Sequence, residues 1–142
     1  MIEIDGSIGE GGGQILRTSV ALSALTLTPV IVKKIRAKTD KPGLRQQHVT
    51  AIKALAAVAD ADVEGLELGS SEIIFVPKRR KGGAFTFDIG TAGSTTLVLQ
   101  ALLPVLAFSE EQSNITLTGG TNNPMAPQID YFLHVLNPVL LR

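Results

Sequence analysis

With 142 residues, 44% of them hydrophobic, the chain can fill one ordinary core or two small ones and is too apolar for a disordered protein. Zero cysteines exclude disulfides, thiolate metal sites and a cysteine nucleophile, and thirteen basic residues cancelled by thirteen acidic ones argue against a generic polyanion binder. The longest apolar stretch, Leu97 to Phe108, is broken by Gln100 and too short for a bilayer, and Met1 to Asp5 alternates like a strand with no basic leader, so the expectation is a cytoplasmic protein without a membrane partner.

In chain order the pattern predicts a strand at Ile2 to Asp5, a helix over about Gln14 to Leu25 and a strand at Val30 to Arg36. Pro42-Gly43 mark a turn before a second helix, about Leu44 to Ala59, whose apolar residues Val49, Ile52, Leu55, Ala56 and Ala59 follow helical spacing. Two strands, Val63 to Leu68 and Glu72 to Pro77, flank Gly69-Ser70-Ser71 as a hairpin. The same order then restarts with a strand at Ala84 to Ile89, a helix over about Ser94 to Phe108, a strand at Asn114 to Thr118 and a helix over about Pro127 to Leu141. Residues recur with the elements: Ile8-Gly9-Glu10-Gly11 matches Ile89-Gly90-Thr91-Ala92-Gly93 about 81 positions on, and Thr39-Asp40-Lys41-Pro42 matches Thr121-Asn122-Asn123-Pro124. The expected organisation is therefore α+β, with one β-α-β-α-β-β unit over residues 1–81 and a second over 82–142 that lacks its last two strands. Leu136, Val139, Leu140 and Leu141 then need a partner segment or second chain to complete the sheet; the alternative is a second half that lost its hairpin, with the final helix packed onto the first unit.

Gly9-Glu10-Gly11-Gly12-Gly13-Gln14-Ile15-Leu16-Arg17 leads a glycine run directly into a helix. Glycines let backbone N–H groups turn toward an anion at the positive end of that helix, and Glu10 beside phosphates calls for a divalent metal between them. Arg17 opposes the macrodipole one turn in, which an intervening anion makes tolerable. The loop lacks the lysine of a Walker A motif and the third glycine of a dinucleotide fingerprint. A flexible turn with a solvated Glu10 is the competing reading. Lys41 to His48 places Arg45 and Gln47 at a helix start, as phosphate and base or sugar contacts or as a solvated helix end. The basic runs Lys33 to Arg45 and Lys78 to Lys81 are either solvated loops or nucleic-acid contacts. Gln100, on an apolar helix face, is a core amide or a base-reading group, and the prolines of Gly119 to Pro127 offer a ring-stacking face or belong to a plain loop. His48 and His134 read as packed or surface residues.

Taken together, Gly9 to Arg17, Lys41-Pro42-Gly43-Leu44 with Gln47-His48, Ile89 to Ser94 with Thr96 to Gln100, and Thr118 to Pro124 with Ala126-Pro127 resemble the RNA 3′-terminal phosphate cyclase family. The resemblance implies tandem units like the C-terminal domain of translation initiation factor 3 in a protein more than twice this long. It also implies use of ATP and Mg2+ or Mn2+ to turn an RNA 3′-phosphate into a 2′,3′-cyclic phosphate. A histidine takes AMP and releases pyrophosphate, AMP passes to the RNA phosphate, and the vicinal 2′-hydroxyl displaces it. By position, the resemblance makes Glu10 the metal and phosphate-site acid, Arg17 and Gln47 phosphate contacts, and Gln100 with Pro127 the adenine pocket, with Lys41 and Arg45 toward the RNA. The nucleophilic histidine falls outside this chain. Thr39 stands where some members carry an arginine, which leaves that contact to Lys38 or Lys41. A non-catalytic cyclase-like protein of ribosome assembly and a relative of the enolpyruvyl transferases are the alternatives; ATP binding separates the last.

Overall fold

The computed structural model describes residues 1–141; Arg142 lies outside the described residues. The first six elements are β1 (Ile2–Asp5), α1 (Gly13–Thr26), β2 (Val30–Lys33), α2 (Gln46–Ala59), β3 (Asp62–Glu64) and β4 (Ile73–Val76). Their strands make one sheet in the order β1-β2-β4-β3, with β1 parallel to β2 and both other pairs antiparallel. Next come β5 (Gly83–Asp88), α3 (Thr95–Ala107) and β6 (Ser113–Thr118), where β5 and β6 pair in parallel as a second sheet. The chain is thus α+β, with mixed sheets and helices.

The predicted strand over Val30 to Arg36 stops at Lys33, because Lys34 and Arg36 turn to φ values of 52° and 53°. That detour buries Ile35, whose N–H donates to the Ser71 carbonyl at 2.9 Å. Leu44 is likewise drawn out of α2, which begins at Gln46: its N–H donates to Ser70 and its carbonyl accepts from Gly69. The same bonds open the expected tight hairpin at Gly69-Ser70-Ser71 into a longer loop and shorten β3 and β4. These boundaries moved because their backbone partners are distant in sequence.

The last predicted helix is present in altered form. It starts at Ile129 instead of Pro127, as α4 (Ile129–Tyr131), widens into a π-helical segment (Phe132–Leu136) and returns as α5 (Asn137–Leu140). Pro138 supplies the reason. It has no N–H for the His134 carbonyl, and Asn137 donates five residues back to Phe132.

Phe75, Leu16, Ile52, Leu55 and Leu102 are among the largest fully buried side chains, and one hydrophobic cluster runs from β2 and β4 through α1 and α2 into α3. Burying such side chains stabilises the fold by roughly 1.5–3 kcal/mol each. The three helices pack against one another, and this brings the N-terminal half of α1 opposite the middle of α3.

Candidate functional site

The glycine run shapes the entry to α1. Gly11 takes φ +60°, a region costly for other residues, and bends the loop so that its N–H reaches the Ile8 carbonyl. Gly13 permits a close approach: a Cβ there would lie 2.2 Å from His48 Nε2 and 3.0 Å from an Arg17 terminal nitrogen. The α1 N-cap is Gly12, without a side-chain cap or an acidic residue in the first turn. Its leading N–H groups therefore stay available, and with them the positive end of the helix dipole. α3 differs, since the Ser94 hydroxyl caps it by accepting from the Leu97 N–H at 3.2 Å.

Arg17, Gln100 and Pro127 line one cavity of about 440 Å³ between α1 and α3. Gln14 and Thr18 extend its polar side; Leu97, Pro104 and Met125 give it an apolar one. Gln100 is exposed here, so the core-amide reading is corrected: the helix turns this residue to the cavity while Val98, Ala101, Leu102 and Val105 take the core. Pro127 is set by its backbone, whose carbonyl accepts from the Thr96 hydroxyl at 2.6 Å. Thr95 Oγ1 holds the Gly120 carbonyl at 2.9 Å and Asn123 Nδ2 donates to Ala92, fastening both ends of the loop onto the start of α3.

Glu10 is exposed and borders an adjoining hollow that shares Gln14 and Thr18 with the cavity. Lys38 Nζ bonds the neighbouring Gly9 carbonyl at 3.3 Å, and Glu10 has no ion pair among the described residues. No cluster of three metal-ligating side chains occurs among the described residues. One carboxylate beside phosphate oxygens and water nonetheless suits Mg2+, which binds through few protein ligands. Gln47 lies outside the cavity, half-buried, near the backbone of Gly93. Lys41 and Arg45 are exposed, also outside it, and form no ion pair among the described residues.

The charges of the two basic runs are spent unevenly. Lys33 pairs with Glu3 at 2.9 Å, Lys34 with Asp5 at 2.7 Å, Lys78 with Asp62 at 2.8 Å, and both Arg79 and Lys81 with Asp60 at 3.0 Å. Arg80 donates to the Phe108 and Leu25 carbonyls. The Lys78 to Lys81 run is thereby occupied with the protein's own acceptors. Arg17, half-buried, has no hydrogen-bond partner among the described residues, and burial acts against its charge. A desolvated guanidinium without an acceptor is costly in the free protein and prepared for an anion.

His48 was read from sequence as a packed or surface residue, and it is packed at 2% exposure. Its Nδ1 accepts the Arg45 N–H at 3.1 Å, which leaves the proton of the neutral ring on Nε2, next to Gly13. Burial, then the charges of Arg17, Arg36 and Arg45, push its pKa down to about 4. Three guanidinium groups therefore act on one buried ring, and that convergence joins Arg17 to Arg45 across the interface of α1 and α2. Arg36 is held there by donating to the Lys41 and Gly43 carbonyls at 2.6 and 3.0 Å.

A titration prediction follows from the lowered value. The unfolded ring takes a proton near pH 6.5 and the folded ring only near 4, so this contribution is full above pH 6.5 and is lost as pH falls toward 4. The loss is on the order of 3 kcal/mol. In urea unfolding of the full-length protein, His48→Asn, which keeps an acceptor for Arg45, removes that part of the slope between pH 7 and pH 4.5.

The sequence of the chain has known counterparts. A family model described as RNA 3′-terminal phosphate cyclase matches residues 8–142. The chain belongs to that family. It is 61% identical over 142 residues to the RNA 3′-terminal phosphate cyclase of Ignicoccus hospitalis, covering all of this chain and 40% of the relative. To those of Staphylothermus marinus and Pyrococcus furiosus it is 59% and 56% identical over 135 residues, covering 95% of this chain and 38% and 40% of the relatives. It thus spans about two-fifths of the length of the curated cyclases it matches.

Three residues around this site were not picked out as binding residues from sequence. Arg36 lay unmarked in a basic run, and His48 lacked any acidic neighbour in sequence. Met125 stood in a loop with no periodicity. A signal for His48 did exist: it sits three residues after the N-cap Arg45, where a side chain can reach back to the cap N–H.

Proposed function

We propose that this chain is the N-terminal part of an RNA 3′-terminal phosphate cyclase that binds ATP between α1 and α3. The single observation that carries the reading is the cavity shared by Arg17, Gln100 and Pro127, whose lining divides into charged or polar side chains and apolar ones. A nucleotide has the same division. Arg17 and the open α1 N-terminus take phosphates, while Gln100 and Pro127 take the base. Gln47 is a further phosphate contact, and Lys41 and Arg45, whose charges have no carboxylate partner among the described residues, face the RNA end. Glu10 would hold Mg2+ or Mn2+ against the phosphates, and the bound ion supplies neutralisation of their charge.

In this reading the reaction is ATP-dependent conversion of an RNA 3′-phosphate to a 2′,3′-cyclic phosphate through enzyme-AMP and RNA-AMP, with the nucleophilic histidine in the remainder of the protein. The organisation is a tandem of units like the C-terminal domain of initiation factor 3, divided near residue 81. β6 pairs only with β5 among the described residues, whereas its counterpart β2 also pairs with β4. A hairpin from the rest of the protein therefore joins β6 antiparallel. The exposed Leu133, Val139 and Leu140 mark the apolar surface next to be covered.

The test is to incubate the full-length protein with radiolabelled ATP and Mg2+. A covalent AMP adduct, discharged by RNA with a 3′-phosphate to give a cyclic end, is the expected result. ATP binding with neither adduct nor cyclisation would overturn the catalytic reading in favour of a cyclase-like binding protein.

A further inference from the structure

Resting on the reading of the cavity as a nucleotide site, we propose that Pro104 sets base specificity by freeing the Gln100 main-chain carbonyl to accept a hydrogen bond from the 6-amino group of adenine. Pro104 lies inside α3, four residues after Gln100. In an uninterrupted helix the N–H of residue 104 would donate to that carbonyl, and proline has none. A backbone acceptor is thus left for water or a ligand.

Its position decides what it can meet. Leu97, Gln100, Ala101 and Pro104 follow the i, i+3, i+4, i+7 spacing of one helix face, and all four line the cavity. The freed carbonyl belongs to the stretch between Gln100 and Pro104, and both of these residues line the cavity together with Pro127 and Arg17. Met125 also lines the cavity, fully exposed and held at φ +60°, an unfavourable angle for a side chain with a Cβ. Its loop is fastened at both ends, so this apolar side chain is presented by a fixed backbone and not by a loose one. A planar base between Pro127 and Met125 would present its edge to α3.

A carbonyl only accepts. It rewards the amino group of adenine and is left facing the O6 acceptor of guanine, so it discriminates where the Gln100 amide, which can turn either way, does not. The group doing the selecting is part of the backbone, and its cause is the proline.

The experiment measures equilibrium binding of ATP, GTP and purine riboside triphosphate, which lacks the 6-amino group, to the full-length protein. Wild type should bind ATP about tenfold more tightly than either analogue. Pro104→Ala, which restores the helical N–H, should bring ATP down to the level of the analogues without lowering the melting temperature. Equal binding of the three ligands by wild type overturns the proposal while leaving the nucleotide site standing. So does a folded Pro104→Ala protein with the wild-type preference. Absence of binding to all three would overturn the nucleotide reading itself. Should Pro104→Ala fold poorly, the wild-type comparison of ATP with purine riboside triphosphate decides alone.

Discussion

Replacing Arg17 with alanine in the full-length protein lowers affinity for ATP by about two orders of magnitude in equilibrium binding, while thermal stability stays level or rises slightly. Arg17 is half-buried with no acceptor among the described residues, and burial already works against its charge. Its removal relieves a desolvation cost in the free protein. It also removes one of the three charges that hold the His48 pKa down. What is lost appears only when an anion is bound. Wild-type affinity in Arg17→Ala would remove this residue from the phosphate site, and a fall in melting temperature of many degrees would make its role structural.

Phe75→Ala destabilises the protein by about 3–5 kcal/mol in urea unfolding, with no change in ligand affinity for the fraction that remains folded. Phe75 is fully buried in β4, in register with Val30 of β2 on one side and Val63 of β3 on the other. It lies on a central strand, so backbone pairing on both sides restricts how far the site can collapse after truncation. A loss below about 1 kcal/mol would mean that β2 and α2 close over the gap. The two substitutions have opposite signatures, because a binding group is kept at some expense to stability and a core group serves stability alone.

Much of the fold was legible from the residues. β1 runs over the predicted Ile2–Asp5, and α1, α2, α3 and β6 begin and end within about two residues of expectation, because alternation and helical spacing report on one face of each element. β2 and the hairpin were less legible: Ile35 and Leu44 take backbone partners at Ser71 and Ser70, which no local pattern anticipates. The π-helical segment was foreseeable in kind from Pro138 but not in extent.

At the site, Glu10 and Arg17 stood out because a glycine run ending in a helix with an arginine one turn in has few purely structural uses. Gln100 and Pro127 had two readings each from the residues alone, and the family resemblance chose the adenine pocket between them. Their adjacency depends on the Thr96 hydroxyl reaching the Pro127 carbonyl across the fold. Arg36 and His48 were hidden for a related reason. The pKa of a buried ring records the charges that packing brings near it, and those charges come from the loop after β2, from α1 and from the N-cap of α2.

Amino-acid order alone was enough to establish the element types, the α+β class, the absence of thiol chemistry and the motifs that mark the family, since each rests on residue type and short-range spacing. Folding decided which charges remain available. Eight cations of the two basic runs are taken up by carboxylates or carbonyls, and Arg17 and Arg45 have no carboxylate partner among the described residues. Charge pairing acts over a few ångströms, between residues that are distant along the chain and meet only in the packed molecule.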